Sequence, residues 1–201
     1  MKHTAPPRWL APAENRFGIR CLDCREFARQ LVSSTGEPSV ANTFAMLRSS
    51  QGEHVRSRLP VNTLLVPCGL EYPPLKGVID GPVYLAGEME EKWDIFLFDG
   101  QLYFARSWTG ALVFKASAEF SRTGVRILSV SADAKAAGRD PRYVTAQVDF
   151  LVKSHLYHLE APHPLPEGLP EEPEQVAMFS FGQYGRMAAY ATFEETIGAG
   201  W

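Results

Sequence analysis

Cysteine is scarce in this chain: 3 of 201 residues, at positions 21, 24 and 68. An odd, sparse set provides no disulfide framework and fits a reducing compartment. Long apolar runs are missing as well. No stretch approaches the roughly 18–20 apolar residues that a spanning helix needs. The opening Met1-Lys2-His3-Thr4-Ala5-Pro6-Pro7-Arg8-Trp9-Leu10 carries no apolar segment after its positive residues, unlike a secretory signal. The expectation is a cytoplasmic protein without a membrane partner. Positive charge is not in excess either: 20 Lys+Arg face 23 Asp+Glu, a net charge of −3. No broad field draws in phosphates, so no nucleic acid partner is expected.

Familiar catalytic signatures are also lacking. The chain has no Walker A loop, no strand-linked Gly-x-Gly-x-x-Gly, no His-Glu-x-x-His and no EF-hand loop. Ser107, Ser129 and Ser180 have no Gly-x-Ser-x-Gly elbow around them. The common nucleotide and zinc-protease classes drop out, and no cofactor is expected.

What is present is an ordinary globular balance, 45% hydrophobic and 21% charged. The length favours one domain over 16–201, preceded by an extended, proline-bearing arm at 1–15 that packs through Trp9 and Leu10. Alternation predicts a short strand over 16–21. Asp23 is placed to cap a helix over 24–33, with Phe27, Leu31 and Val32 on one face. A second helix over 38–48 puts Val40, Phe44 and Leu47 on a stripe. After a polar loop at 49–61, a strand over 63–71 contains Pro67, which assigns it to an edge or a bulge. Residues 82–86 read as another short strand.

The segment 92–131 is the most legible. Asp99-Gly100 between two apolar runs is a strong hairpin signal. A two-residue loop pairs Phe98 with Gln101 and, at the far end, Trp93 with Arg106. That register sets Trp93, Ile95, Leu97, Leu102, Phe104 and Arg106 on one face. At the next turn two registers are open. A three-residue loop with left-handed Gly110 is preferred, because it brings Leu112, Phe114 and Ala116 onto that face rather than Lys115. A fourth strand over 124–131 completes an antiparallel β-meander. Asp140-Pro141 starts a helix to about His158, with Val144, Val148, Leu151, Val152 and His155 on its buried stripe and Gln147, Lys153 and Ser154 more exposed. Residues 162–173 read as a proline-rich surface strap and 172–182 as a last helix; 186–195 suits either helix or strand. The fold class is α+β: an antiparallel sheet of four to six strands with helices mainly on one face.

Candidate sites follow from this placement. Arg106 falls among apolar side chains, where an unpaired charge is costly. It either stacks on Trp93 and bonds locally, or binds an anionic ligand in a pocket lined by Trp93, Tyr103, Trp108 and Thr109. Cys21-Leu22-Asp23-Cys24 is a single C-x-x-C, more readily two buried hydrophobes than a redox or zinc pair. His155 and His158 are three apart with His163 beyond; a core histidine and an exposed one outweigh a metal site. Glu88, Glu90, Glu91 and Asp94 read as a solvated run before catalysis is considered.

The string from Lys92 through Trp93, Asp99-Gly100 and Leu102-Tyr103-Phe104-Ala105-Arg106-Ser107-Trp108-Thr109-Gly110 resembles a pattern in uncharacterised bacterial proteins. The resemblance spans under a tenth of the chain. It implies that Arg106, Trp108 and Thr109 belong to a recurring module, and it brings no activity with it. The leading expectation is a non-enzymatic binding module of the bacterial accessory or immunity type, taking a protein partner or a small anionic ligand. The alternative is a small hydrolase or transferase whose anionic ligand is held by Arg106.

Overall fold

The structure, a computed structural model, describes residues 6–198. It is α+β. In chain order the first elements are β1 (Arg8–Leu10), β2 (Cys21–Asp23), α1 (Arg25–Gln30) and α2 (Pro38–Leu47). Six strands follow: β3 (Thr63–Tyr72), β4 (Gly81–Tyr84), β5 (Trp93–Phe98), β6 (Gln101–Arg106), β7 (Leu112–Phe120) and β8 (Val125–Asp133). The chain ends on α3 (Pro141–Leu151), a π-helical turn at Val152–Leu156, β9 (Pro162–Pro164), α4 (Pro173–Tyr184) and β10 (Tyr190–Thr192). Contacts divide the described chain into two compact units. The first takes 6–33, Glu90–Lys92 and 146–198; the second takes Ser34–Met89 and Trp93–Thr145.

The second unit holds a six-stranded antiparallel sheet in the order β3-β8-β7-β6-β5-β4. Its centre is the expected meander. Asp99 and Gly100 are both left-handed, with φ of 51° and 71°, the backbone a two-residue hairpin turn requires. Pairing runs from Phe98 with Gln101 to Trp93 with Arg106, in the expected register. On one face Trp93 stacks on Phe114 at 5.7 Å, and Phe104 meets Phe114 edge-on at 6.3 Å. The opposite face buries Val55, Phe96, Phe98, Tyr103 and Ala105. Pro67 and Pro82 both fall on edge strands, where a missing N–H costs no ladder bond.

The turn after β6 corrects one detail. Gly110 is left-handed (φ 68°), but the loop is the four-residue 107–110, closed by Arg106 N–H donating to the Ala111 carbonyl at 2.9 Å. Phe114 and Ala116 pair with Phe104 and Leu102, as the preferred register requires. Leu112 does not join them. A bulge shifts the register between Phe104 and Ala105, so Leu112 pairs with Ala105 and packs on the Tyr103 face.

The first unit holds a four-stranded mixed sheet, β1-β2-β10-β9, in which only β9 and β10 run parallel. Residues 8–10 of the expected arm are thus a sheet strand; residues 1–5 lie outside the described residues. The strand expected over 16–21 starts only at Cys21. Asn15 explains the delay. Its amide donates to the Ala11 and Ile19 carbonyls, and its oxygen accepts from Phe17 N–H, so a local turn replaces extended backbone. Helix α1 stops at Gln30 because Leu31 is extended, which leaves Val32 77% exposed instead of on the apolar stripe. Cys24 is its N-cap; Asp23 contributes by accepting from Arg25 N–H at 3.1 Å.

Helix α3 and its π-helical turn depart most from expectation. Every residue from Val144 to His155 is buried, including Gln147, Lys153 and Ser154. An all-round buried helix cannot expose its polar residues. Lys153 instead donates to Asp149 at 2.6 Å and to the Thr196 carbonyl at 3.3 Å. The strap expected at 162–173 begins with three buried residues that form β9. The tail that suited either helix or strand supplies β10.

Candidate functional site

Arg106 lies half-buried, its guanidinium carbon 4.8 Å from the centre of the Trp93 ring. This is the cation–π stacking open to it from the register. The other residues placed around it have internal roles. Trp108 donates its indole N–H to the Met89 carbonyl at 2.7 Å. Thr109 Oγ1 accepts from Ala111 N–H. Tyr103 points away: it packs with Phe96 and Phe98 on the other face, and its hydroxyl accepts from Ser57 N–H. The structure therefore brings Trp93 and Arg106 together and separates Tyr103 from them.

Asp94, within the same hairpin, also has internal partners. Its carboxylate is fully buried and grips the Arg48 guanidinium at 2.9 and 2.5 Å. Asp94 Oδ1 also accepts from Ala86 N–H, and Arg48 donates to the Ala86 and Ser107 carbonyls. One two-pronged ion pair thus ties the end of α2 to the strand β5, to the loop before β5 and to the loop after β6. A carboxylate expected in a solvated acidic run is a buried clamp. Glu90 is likewise buried, in the first unit, and accepts from Ser33 N–H at 2.8 Å.

A concave site exists elsewhere, within the first unit. It is a cleft of about 320 Å³. Arg25 and Arg29 reach it from α1, Ser154 and His158 from the π-helical turn and the residues after it, and Arg186 from the turn that follows α4. Leu159, Met187 and Ala189 give it apolar wall, and Glu160 its one carboxylate. Arg25 and Arg29 are four apart, so one helix face carries both.

Local backbone explains the remaining positions. Gly185 has φ of 60°, and a Cβ there would lie 1.7 Å from the Glu90 carbonyl oxygen. Only glycine lets this turn close onto Glu90, where Arg186 N–H donates to the same carbonyl at 3.1 Å. His158 is left-handed, with φ of 54°, directly after the π-helical turn. Both features are enriched at functional sites, where packing holds a strained backbone in place.

Charge at the cleft is arranged from behind. Asp23 takes two guanidinium N–H groups of Arg25 at 3.0 and 2.8 Å. That pairing holds the Asp23 carboxyl below its usual range and raises Arg25 further. Glu26 takes one N–H of Arg29, and Arg16 pairs with Glu160 at 3.4 Å. Ser154 is no ready nucleophile: its hydroxyl donates to the Phe150 carbonyl at 2.7 Å, while burial pushes neighbouring His155 down to about 3. His163 is buried likewise and lowered to about 3 by the same cause.

Of the residues singled out from sequence, His158 alone lines this cleft. Arg25 and Arg29 were findable as a four-spaced basic pair on a predicted helix. Arg186 was not, because the tail suited two structures. Cys21 and Cys24 are buried and free, and burial raises their thiols to about 11 and about 12. That is the opposite of the lowered pKa a reactive thiol needs. Among the described residues no group of three or more His, Cys, Asp or Glu is placed to hold a metal ion. No helix there is long and apolar enough to cross a membrane. In comparisons with known proteins, no family model, curated protein or solved structure matches the chain.

Proposed function

We propose that the chain is a binding module, of the accessory or immunity type, that anchors an anionic group of its ligand in the arginine-lined cleft of the first unit. The observation that carries this reading is convergence. Three guanidinium groups and an imidazole from separate stretches of chain meet at one concave site with an apolar wall. Clefts of this kind pair a few aimed polar groups with apolar surface. Arg106 and its neighbours serve as scaffold, since stacking, indole bonding and turn closure already occupy them. The enzymatic alternative asked for Tyr103 beside Arg106, and those side chains leave β6 on opposite faces.

The test is calorimetric titration of the purified chain with inorganic phosphate, sulfate and acetate at low salt. At least one anion binds, and the double substitution Arg29→Ala, Arg186→Ala weakens it by on the order of 100-fold. That is about tenfold for each charge-assisted contact. If none of the three anions gives heat, the cleft is not a recognition site.

A further inference from the structure

We infer that the chain forms a twofold dimer with a second copy of itself, joined antiparallel along the outer edge of β3. The inference stands apart from the anion cleft, since β3 belongs to the second unit. Three observations carry it.

The first is an open edge. The six-stranded sheet ends in β3 on one side and β4 on the other, and among the described residues neither has a strand on its outer side. A sheet edge offers a row of backbone N–H and C=O groups to another strand. Short length, proline, bulges and charge are the usual guards against such pairing. Strand β4 is short, contains Pro82 and has no exposed residue. Strand β3 is guarded only in its second half, by Pro67, by the register shift between Pro67 and Leu70, and by Glu71. Residues 63–66 carry none of these guards.

The second is apolar surface beside that half-strand. Leu59, Val61 and Leu65 are 61%, 70% and 64% exposed. The turn that presents the first two is fixed in place. Thr63 Oγ1 donates to the Pro60 carbonyl, and Ala134 N–H donates to the Asn62 carbonyl. Apolar side chains gathered at an open edge gain from being covered.

The third is charge, and it selects the occupant. From Leu59 to Leu70 the sequence carries no charged residue; Arg58 precedes this stretch and Glu71 follows it. Arg58 is exposed, near an end of the strand where Asp133 and Lys135 stand with opposite signs. At the other end Glu71 and Glu119 share Arg126, which leaves that end net negative. Two antiparallel copies bring the Arg58 end of each to the Glu71 end of the other, so unlike charges meet on both sides of a neutral middle. A parallel pairing would set like charges side by side. A twofold contact of this kind is self-complementary and closes at two copies.

Sedimentation equilibrium on the whole chain, from about 10 to about 200 μM, tests this. The mass rises with concentration from 22.3 kDa towards twice that value. Leu65→Lys places a charge on the open half-edge and weakens association about tenfold or more. Ile79→Lys, at another exposed apolar position outside β3, leaves it unchanged. Arg58→Glu and Glu71→Arg each weaken the dimer about threefold or more, and the double exchange restores it. All four positions are exposed, so unchanged melting temperatures show that folding is intact. A mass of 22.3 kDa at every concentration overturns the inference; if that monomer binds a peptide spanning residues 59–70, the edge takes a foreign strand instead. A dimer indifferent to Leu65→Lys places the contact elsewhere and overturns it as well. Loss at Leu65→Lys without rescue by the double exchange overturns the antiparallel pairing. Mass that climbs past two copies overturns the closed twofold.

Discussion

The two compact units solve the same problem in opposite ways. In the second, polar groups near the hairpin are turned inward and closed on one another: Asp94 grips Arg48, Trp108 bonds to Met89, and Arg106 lies on Trp93. In the first, Asp149 and Lys153 close on each other inside, while Arg25, Arg29, His158 and Arg186 line an open cleft, Arg25 paired with Asp23 and Arg29 with Glu26. A buried charge without its partner costs several kcal/mol, whereas an exposed guanidinium costs little and stays available to a ligand. Side chains closed on one another in the interior are scaffold, and those that line a concavity are candidates for recognition.

The largest effect expected from breaking this contrast is at the clamp. Arg48→Ala leaves the fully buried Asp94 carboxylate unpaired and destabilises the fold by about 3–5 kcal/mol in urea unfolding. Gly185→Ala comes next. It forces a left-handed alanine whose Cβ meets the Glu90 carbonyl, and costs at least about 1–3 kcal/mol in strain. It also displaces Arg186, so anion binding weakens even where the variant remains folded.

The third effect concerns pH. His155 and His163 are buried and held neutral down to about 3. In the unfolded chain a histidine takes up its proton near pH 6.5, so below that pH the unfolded state binds more protons and is favoured. Stability is therefore flat in these groups above about pH 6.5. It falls on acidification towards pH 3, by up to about 1.4 kcal/mol per pH unit for each histidine. Melting temperatures from pH 8 to pH 5 show this, and His163→Phe removes one histidine's share of the slope. Arg106→Ala has the smallest effect. Loss of stacking on Trp93 costs about 1 kcal/mol in thermal unfolding and leaves anion binding unchanged.

The same contrast governs what the sequence discloses. In the second unit neighbours in the sheet are mostly neighbours in the chain, and Asp99-Gly100 sets the register of the β5–β6 pair. Trp93 opposite Arg106, the left-handed Gly110 and the edge-or-bulge position of Pro67 were all readable there. The first unit joins strands of three residues from positions as far apart as 8–10 and 190–192. Three residues are too few to show alternation, and their partners lie far along the chain. The cleft shares that property, since its basic residues come from both ends of the sequence. Helix α3 misled for another reason. Lysine and glutamine suggest a solvated face, but Asp149 lies one turn before Lys153 and makes a buried pair possible. Arg48 and Asp94 are 46 residues apart, with no local pattern to link them.

Titration of inorganic phosphate into the parent chain, Arg29→Ala and Arg106→Ala, at equal ionic strength, is the most direct trial. The account predicts an affinity about tenfold weaker for Arg29→Ala and within about twofold of the parent for Arg106→Ala. The reverse order, with binding lost at Arg106 and kept at Arg29, would place recognition on the hairpin and contradict the account.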